Sequence, residues 1–214
     1  MNIKKLTTLL VILFLPLMIS AQQWDEAMYR SIEKSIRQPQ FSDRQYSIIN
    51  FGASTKATAA KNQRAINKAI STCSKKGGGS VIVPKGEWHT GAIRLLSHVN
   101  LVIEDSATLK FAFEPELYPL VKTAWEGLAC WNYSPCIYAY GATDVAITGK
   151  GTINGNGSNE TWWAWCGADR FGFVKGKTTE AQSLGSRARL QKYAEDGVPE
   201  DERCFGKGEG LRPQ

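Results

Sequence analysis

Short strand-sized segments that follow one another without helices between them constrain the fold of this 214-residue chain most strongly. These segments are Ser80–Pro84, Trp88–Leu95, Val99–Glu104, Thr108–Phe113, Ile137–Tyr140 and Val145–Thr148. A doubly wound βαβ fold is disfavoured because it needs a helical segment after each strand. An antiparallel sandwich is also disfavoured, since its hairpins typically carry turn dipeptides between the strands and Asn-Gly occurs here only within the single stretch Asn154–Gly157. The pattern predicts an all-β fold, a right-handed parallel β-helix whose coils are short strands separated by tight bends.

The stretch from Val145 to Trp163, VAITGKGTINGNGSNETWW, shows this pattern in its most compact form. Alternation of apolar and polar residues at its start is the period of a half-buried strand. Glycines at 149, 151, 155 and 157 then supply corners on both sides of a second short strand around Ile153. Asn154 and Asn156 are interpreted as structural corner residues, and two tryptophans end the stretch.

One helix is predicted ahead of the strands. A first strand is expected from Tyr46 to Gly52, followed by a helix over Asn62–Lys75 whose apolar residues recur at helical spacing. Gly77 is well placed to end that helix as its C′ residue. We expect the helix to cap the open end of the first coil and to shield its edge strands from water.

Residues 1–21 have the features of a secretory signal peptide. Lys4 and Lys5 precede a short apolar run, and Ser20-Ala21 supplies small residues for cleavage after Ala21. We therefore expect a secreted or periplasmic protein without stable membrane insertion, because the apolar run is too short for a comfortable span. Residues 22–45 are predicted to form a polar helical extension, and the solenoid domain is predicted to occupy residues 46–214.

Charge and cysteine content restrict the partners. Cleavage removes two of the 26 basic residues and leaves 24 against 20 acidic residues, a net charge of +4. Such an excess suits an anionic partner such as a polyuronate, and it equally suits simple solubility. No basic run with interleaved aromatics indicates nucleic acid. The five cysteines include no C-x-x-C pair and only two histidines occur, so neither a metal nor another cofactor is expected.

Two regions interrupt the strand pattern. A loop containing Trp125 and Trp131 is predicted before Ile137–Tyr140. Residues 167–210 are dense in charge and are interpreted as a long insertion between coils, with a helix predicted over Thr179–Tyr193. Such an insertion forms either the wall of a binding groove or a solvated loop, and the sequence leaves both interpretations open.

Several separated segments resemble one enzyme family. The segments are KKGGGSVIVP (75–84), GEWHTGAI (86–93), LLSHVNL (95–101), and GKGTINGNG (149–157) followed by Trp162-Trp163. In this order they resemble the N-terminal part of polygalacturonase-type glycoside hydrolases of family 28, pectin-cleaving right-handed β-helix enzymes. Trp125-Glu126-Gly127 and Tyr133-Ser134-Pro135 resemble the bacterial, often exo-acting, branch. The resemblance extends from Tyr46 to Gln214.

This resemblance implies inverting hydrolysis, in which an acid and a base lie about 6.5–9.5 Å apart so that water fits between them. In the family these groups come from an Asn-x-Asp motif and an Asp-Asp pair, completed by Gly-His-Gly and Arg-x-Lys. None of these motifs occurs in the 214 residues. We therefore predict no catalytic residue and expect the front portion of a metal-free galacturonosyl hydrolase that is inactive by itself. The full-length parent is expected to be a monomer acting on pectin or a related polyuronide.

Four residues are candidates for substrate binding. Trp162 and Trp163 could stack on a sugar face, or they could fix the insertion to the coil. Glu126 lies in a segment that family members use near the substrate, although Ala124 stands where the family often has a basic residue. Arg212 could bind a uronate carboxylate as a bidentate donor, or it could pair with an acid of the insertion.

Two other functions remain open on the sequence. A polysaccharide lyase on the same solenoid would need Ca²⁺ held by clustered acids and a basic residue to abstract a proton. The acids here are scattered, which favours the hydrolase. A non-catalytic sugar-binding or adhesive solenoid is the second alternative.

Overall fold

A computed structural model of the protein describes residues 25–178, 185–209 and 211–212. The chain divides into two compact units, Met1–Gln38 and Pro39–Gln214. The predicted signal peptide lies outside the described residues. The first unit contains helix α1 (Glu26–Ser35), whose residues are all exposed and whose N-terminus is capped by Asp25, which accepts a hydrogen bond from the Met28 amide. None of the described helices has both the length and the apolar character needed to cross a bilayer.

The second unit contains two described α-helices and eleven described strands. The helices are α2 (Ala59–Lys75) and α3 (Ser186–Glu195). The strands are β1 (Gln45–Ser47), β2 (Gly79–Val83), β3 (Gly86–Thr90), β4 (Ile93–Arg94), β5 (Val99–Ile103), β6 (Ala107–Phe111), β7 (Leu120–Trp125), β8 (Leu128–Tyr133), β9 (Ile137–Tyr138), β10 (Ala146–Gly149) and β11 (Thr152–Asn154).

Nine of these strands form three sheets in which every pairing is parallel. The orders are β1-β2-β5-β10, β3-β6-β11 and β4-β9. Following the sequence, the chain visits the sheets in turn through β2, β3 and β4, and it returns to the first sheet at β5. Each return places a new strand beside the previous one. The predicted strand-rich architecture with parallel pairing is therefore confirmed.

Alternating residues of the strands face a common core. Val81 of β2 pairs with Leu101 of β5, and Trp88 of β3 pairs with Leu109 of β6. All four side chains are buried. Burial of one such side chain contributes about 1.5–3 kcal/mol, so these columns of apolar residues stabilise the stack and fix its register.

Helix α2 covers the first strand of each parallel sheet, since it packs against β1, β3 and β4 as well as β2. Thr58 caps it by accepting from the Lys61 amide, which explains why the helix begins earlier than the predicted Asn62. Gly77 ends it in the left-handed conformation, with φ 86°. The Gly77 amide donates to the Ser74 carbonyl and the Gly78 amide to that of Cys73, which is a Schellman motif with Gly77 at the predicted C′ position.

The predicted strand from Tyr46 to Gly52 is wrong for most of its length. Strand β1 ends at Ser47, and residues Ile48–Phe51 form a 3₁₀ helix that ends at Gly52 with φ 97°. The apolar run misled the prediction because Ile48 is buried in the core while the next residue is largely exposed. The chain has to turn here to bring the start of α2 onto the first strands.

The predicted loop around Trp125 and Trp131 is also wrong. Strands β7 and β8 form an antiparallel hairpin closed by Glu126 and Gly127, whose φ values are 47° and 88°. Two successive positive φ values are characteristic of a type I′ hairpin turn. Glu is not among the residues that signal this turn, so the hairpin is hard to recognise from the sequence.

The charged insertion packs onto this hairpin. Leu190 of α3, Phe205 and Leu211 are buried against Trp125 and Cys130. Residues 179–184 of the predicted helix lie outside the described residues, and α3 begins at Ser186. The part of the insertion that carries Leu190 and Phe205 is therefore anchored to the hairpin.

The segment just before β1 contacts the start of β2, and the predicted domain boundary after residue 45 stays a prediction. Ser42 donates a hydrogen bond to the Gly78 carbonyl, and the Arg44 carbonyl accepts from the Ser80 amide. These contacts tie the segment before β1 to the start of β2, so the compact unit begins at Pro39.

Candidate functional site

The candidate site is a cavity of about 640 Å³ beside the 3₁₀ helix Trp162–Cys166. Its described lining residues are Cys136, Gly155, Trp162, Trp163, Cys166, Phe171 and Arg212. Arg212 is the one charged residue among the described lining residues, and the others are aromatic, apolar or small. A mostly apolar cavity of this size with a few polar groups is typical of a small-molecule site.

Trp162 anchors the segment to the body of the protein. Its ring makes edge contacts with Phe113 at 4.7 Å, Tyr118 at 5.1 Å and Trp165 at 5.3 Å between ring centroids. The indole Nε1 is buried and has no hydrogen-bond partner among the described residues. A buried N–H without an acceptor costs about 1–3 kcal/mol, which the surrounding ring contacts offset.

Trp163 presents its ring to solvent at the cavity rim. It is 52% exposed, and its centroid lies 6.3 Å from that of Phe171. A Cβ at Gly157 would lie 2.7 Å from the Trp163 Nε1, so only a glycine there leaves the ring in this position. The exposed ring is suited to stacking on the C–H face of a pyranose.

Arg212 supplies the positive charge. Its guanidinium carbon lies 5.9 Å from the Trp125 ring centroid, and its carbonyl accepts from Asn132 Nδ2 at 3.3 Å. Among the described residues no carboxylate lies within salt-bridge distance of Arg212, so the acid partner considered from the sequence is not found there. A guanidinium held in this way can bind a carboxylate through two parallel hydrogen bonds.

Glu126 is not among the described residues that line this cavity. It occupies the β7–β8 turn, and its carboxylate pairs with the Arg187 guanidinium of the insertion at 2.9 Å. Both side chains are about half exposed, so this ion pair contributes at most about 1 kcal/mol. The structure thus brings Trp162, Trp163 and Arg212 together and leaves Glu126 apart from them.

Sequence reasoning missed the two thiols and Phe171. Cys136 and Cys166 line the cavity as free cysteines, and burial raises the pKa of the Cys136 thiol. A protonated thiol is a poor nucleophile, so Cys136 contributes apolar surface rather than chemistry. No local motif could reveal these residues, since they come from segments that meet only in the folded chain.

Similarity to known proteins covers much of the chain. No protein-family model matches the sequence. A Vitis vinifera protein named "Probable polygalacturonase" is 32% identical over 126 residues, which are 55% of this chain and 25% of that protein. The crystal structure of a hyperthermoactive exopolygalacturonase from Thermotoga maritima is 38% identical with a TM-score of 0.81, covering 89% of this chain and 42% of its own. A family 28 exopolygalacturonase from Yersinia enterocolitica is 22% identical with a TM-score of 0.48, covering 74% and 30%.

The chain therefore spans less than half the length of each of these relatives. Within that span, sequence identity and the arrangement of the strands agree with the Thermotoga maritima enzyme over most of the chain. The chain is polygalacturonase-like, and its resemblance to glycoside hydrolase family 28 is confirmed.

Proposed function

We propose that this chain is the N-terminal part of a secreted glycoside hydrolase that acts on the polyuronide of pectin. The observation that carries the proposal is the 38% identity and TM-score of 0.81 with an exopolygalacturonase over 89% of the chain. The substrate is then an α-linked galacturonosyl polymer, a regular polyanion with one carboxylate on each unesterified sugar.

The scaffold that we propose is a right-handed parallel β-helix. Three parallel sheets visited in a fixed order support it, as does the α2 helix packed over the first strand of each sheet. Such a solenoid gains stability from each added coil and needs its first coil covered.

We assign the cavity to one uronate unit. Trp163 stacks on the sugar face and Arg212 binds the carboxylate, while Trp162 holds the segment that carries Trp163. Both galacturonate and neutral galactose offer a pyranose face to Trp163. Only the uronate also provides an anion for the Arg212 guanidinium. Glu126 is assigned to the surface pair with Arg187 rather than to substrate binding.

Hydrolysis itself is assigned to residues outside this sequence. Inversion needs a carboxylic acid and a carboxylate on opposite sides of the scissile bond. The 214 residues contain none of the family's aspartate motifs, and no acid occurs among the described residues of the cavity lining. The chain by itself therefore binds the substrate without cleaving it.

Export follows from the predicted signal peptide, with cleavage after Ala21. Expression in a bacterial host and N-terminal sequencing of the exported chain tests this step, and a first residue of Gln22 is expected. Retention of Met1 on the exported or membrane-bound protein would contradict it.

Calorimetric titration with trigalacturonate, using neutral galactotriose as the matched ligand, tests the assignment of the cavity. Binding is expected only for the uronide. Arg212→Ala is expected to weaken it about tenfold or more, and Arg212→Lys less, because the charge remains without the bidentate geometry. Trp163→Ala is expected to weaken it about fivefold, with Tyr29→Ala of α1 as the exposed-aromatic control. Equal binding of the neutral sugar, or no effect of either variant, would contradict the assignment.

A further inference from the structure

One face of helix α2 is strongly basic. Lys61, Arg64 and Lys68 recur at spacings of three and four residues, which places them on the same side of the helix, and all are exposed. No Asp or Glu occurs between Asp43 and Glu87. Among the described residues, none of the three forms a salt bridge. This face is therefore a concentration of uncompensated positive charge.

The adjacent row of α2 lines a concave surface beside it. Gln63, Asn67 and Ser71 share a cavity of about 470 Å³ with Arg94 and Tyr138. Asn67 accepts from the Arg94 amide at 2.8 Å and donates to the Ala92 carbonyl at 3.1 Å, so the helix and strand β4 are fixed to each other. The walls of this cavity are accordingly held by the protein itself.

Aromatic side chains continue the surface away from the helix. The Arg94 guanidinium carbon lies 5.9 Å from the Tyr138 ring centroid, and Tyr138 stacks on Tyr140 at 6.3 Å with an interplanar angle of 13°. The Tyr138 hydroxyl donates to the Lys122 carbonyl, which fixes the ring. Tyr140 is 58% exposed, and a second cavity of about 460 Å³ lies along it.

We propose that this continuous surface is a second binding site for an acidic polysaccharide strand, separate from the Trp163 cavity. We call it the basic-aromatic face and define it by Lys61, Arg64, Lys68, Arg94 and Tyr140. The described linings of its two cavities share no residue with that of the Trp163 cavity.

Charge and shape together favour a polyuronide as the occupant. The cations match carboxylates repeated along a polymer, and the exposed Tyr140 ring matches the apolar face of a pyranose. A flexible polyanion without sugar rings would use the cations alone and gain nothing from Tyr140. The identity of the polymer as a polyuronide rests on the proposed function.

Affinity electrophoresis through gels containing polygalacturonate tests the basic-aromatic face. Four proteins are compared: the chain, Arg94→Ala, Tyr140→Ala and the triple Lys61→Gln/Arg64→Gln/Lys68→Gln. A matched charge control carries Lys85→Gln/Lys150→Gln/Lys175→Gln, exposed cations outside the face. Retardation is expected for the chain and the control. The apparent dissociation constant is expected to rise about tenfold for Arg94→Ala and the basic triple, and about threefold for Tyr140→Ala.

Parallel gels with polyglutamate and with neutral galactan identify the occupant. Tyr140→Ala is expected to leave any polyglutamate retardation unchanged, because no ring stacks there. The inference is overturned if the control triple loses as much binding as the basic triple, or if Tyr140→Ala has no effect on polygalacturonate. It is also overturned if neutral galactan is retained equally. If the chain binds trigalacturonate in the Trp163 cavity but gives one of these overturning results, only the basic-aromatic face is refuted. If the chain binds no uronide at all, the proposed function is refuted as well.

Discussion

The two ends of the parallel stack differ in how deeply they bury the residues of one apolar column. At the first end, Val81 and Leu101 are fully buried beneath α2 and the neighbouring strands. At the other end, their column partner Ile147 of β10 is 43% exposed. The second column behaves alike, since Leu109 is buried and its partner Ile153 of β11 is 44% exposed.

This difference shows that an apolar residue at a core position of the strand pattern is not necessarily buried in a stacked fold. Ile147 and Ile153 occupy core positions by register, yet no described strand lies on their outer side. An apolar residue in such a column contributes its full burial energy only when strands lie on both sides of it. The stack should therefore be stiff at the α2 end and weak at the β10–β11 end.

The largest expected effect is on the buried column. Leu101→Ala should lower the free energy of unfolding by about 3–4 kcal/mol, since it removes a fully buried side chain and leaves a cavity. Ile147→Ala, its half-exposed neighbour in the same column, should cost about 1 kcal/mol or less. Urea unfolding followed by tryptophan fluorescence measures both. Equal losses would show that the two ends are equally well packed.

Gly149 tests how closely β10 packs on β5. Its φ is 104°, and an added Cβ would overlap the carbonyl oxygen of Ile103. Gly149→Ala should therefore cost about 3 kcal/mol, because both the backbone conformation and the strand spacing must change. A Cβ added at Gly155 would meet no heavy atom within 4 Å. Gly155→Ala is the matched control and should change the stability little. A tolerated Gly149→Ala would mean that β10 is already detached.

The stability of the β7–β8 hairpin should depend on pH in the alkaline range, because β8 carries the buried thiol of Cys130. Burial raises the pKa of the Cys130 thiol to about 11, from an ordinary value near 9. The folded chain therefore keeps a proton that the unfolded chain releases, so stability is full below about pH 9 and falls as the pH rises toward 11. The total loss should be about 2–3 kcal/mol.

Urea unfolding at several pH values measures this loss. In Cys130→Ala the decline between pH 9 and 11 should become flatter, because the titrating thiol is gone. An unchanged slope in Cys130→Ala would assign the alkaline loss to other groups.

The smallest expected effect concerns the two helix caps. Thr58→Ala removes the acceptor for the Lys61 amide at the start of α2 and should cost about 1 kcal/mol. Asp25→Ala removes the equivalent cap of α1 and should lower helix content without affecting unfolding of the unit that begins at Pro39. Circular dichroism and fluorescence separate the two results. A loss of fluorescence-monitored stability in Asp25→Ala would show that the two units unfold together.

Local patterns were sufficient to predict the elements whose signal lies in neighbouring residues. The apolar stripe and Gly77 located α2, and strands β2, β5 and β6 lie close to their predicted positions. The hairpin around Glu126 was missed because its turn uses an unusual residue. The segment after Ser47 was misassigned because its apolar run turns into a 3₁₀ helix.

The candidate site was predictable only in part, for the same reason. Trp162, Trp163 and Arg212 stood out by residue type, and the fold brings them to one cavity. The surface of Arg94 and Tyr138 could not be foreseen, because the two residues become neighbours only when β9 pairs with β4. These residues could not be predicted because they are far apart in the sequence, not because their residue types are unusual.

We propose that this polygalacturonase-like chain recognises a polyuronide but lacks the carboxylates that cleave it. Incubation of residues 22–214 with polygalacturonate, followed by an assay for new reducing ends, tests it most directly. We expect no release above the protein-free blank under conditions where the same protein is retarded in polygalacturonate gels. Sustained release of reducing ends that increases with protein concentration would contradict the claim.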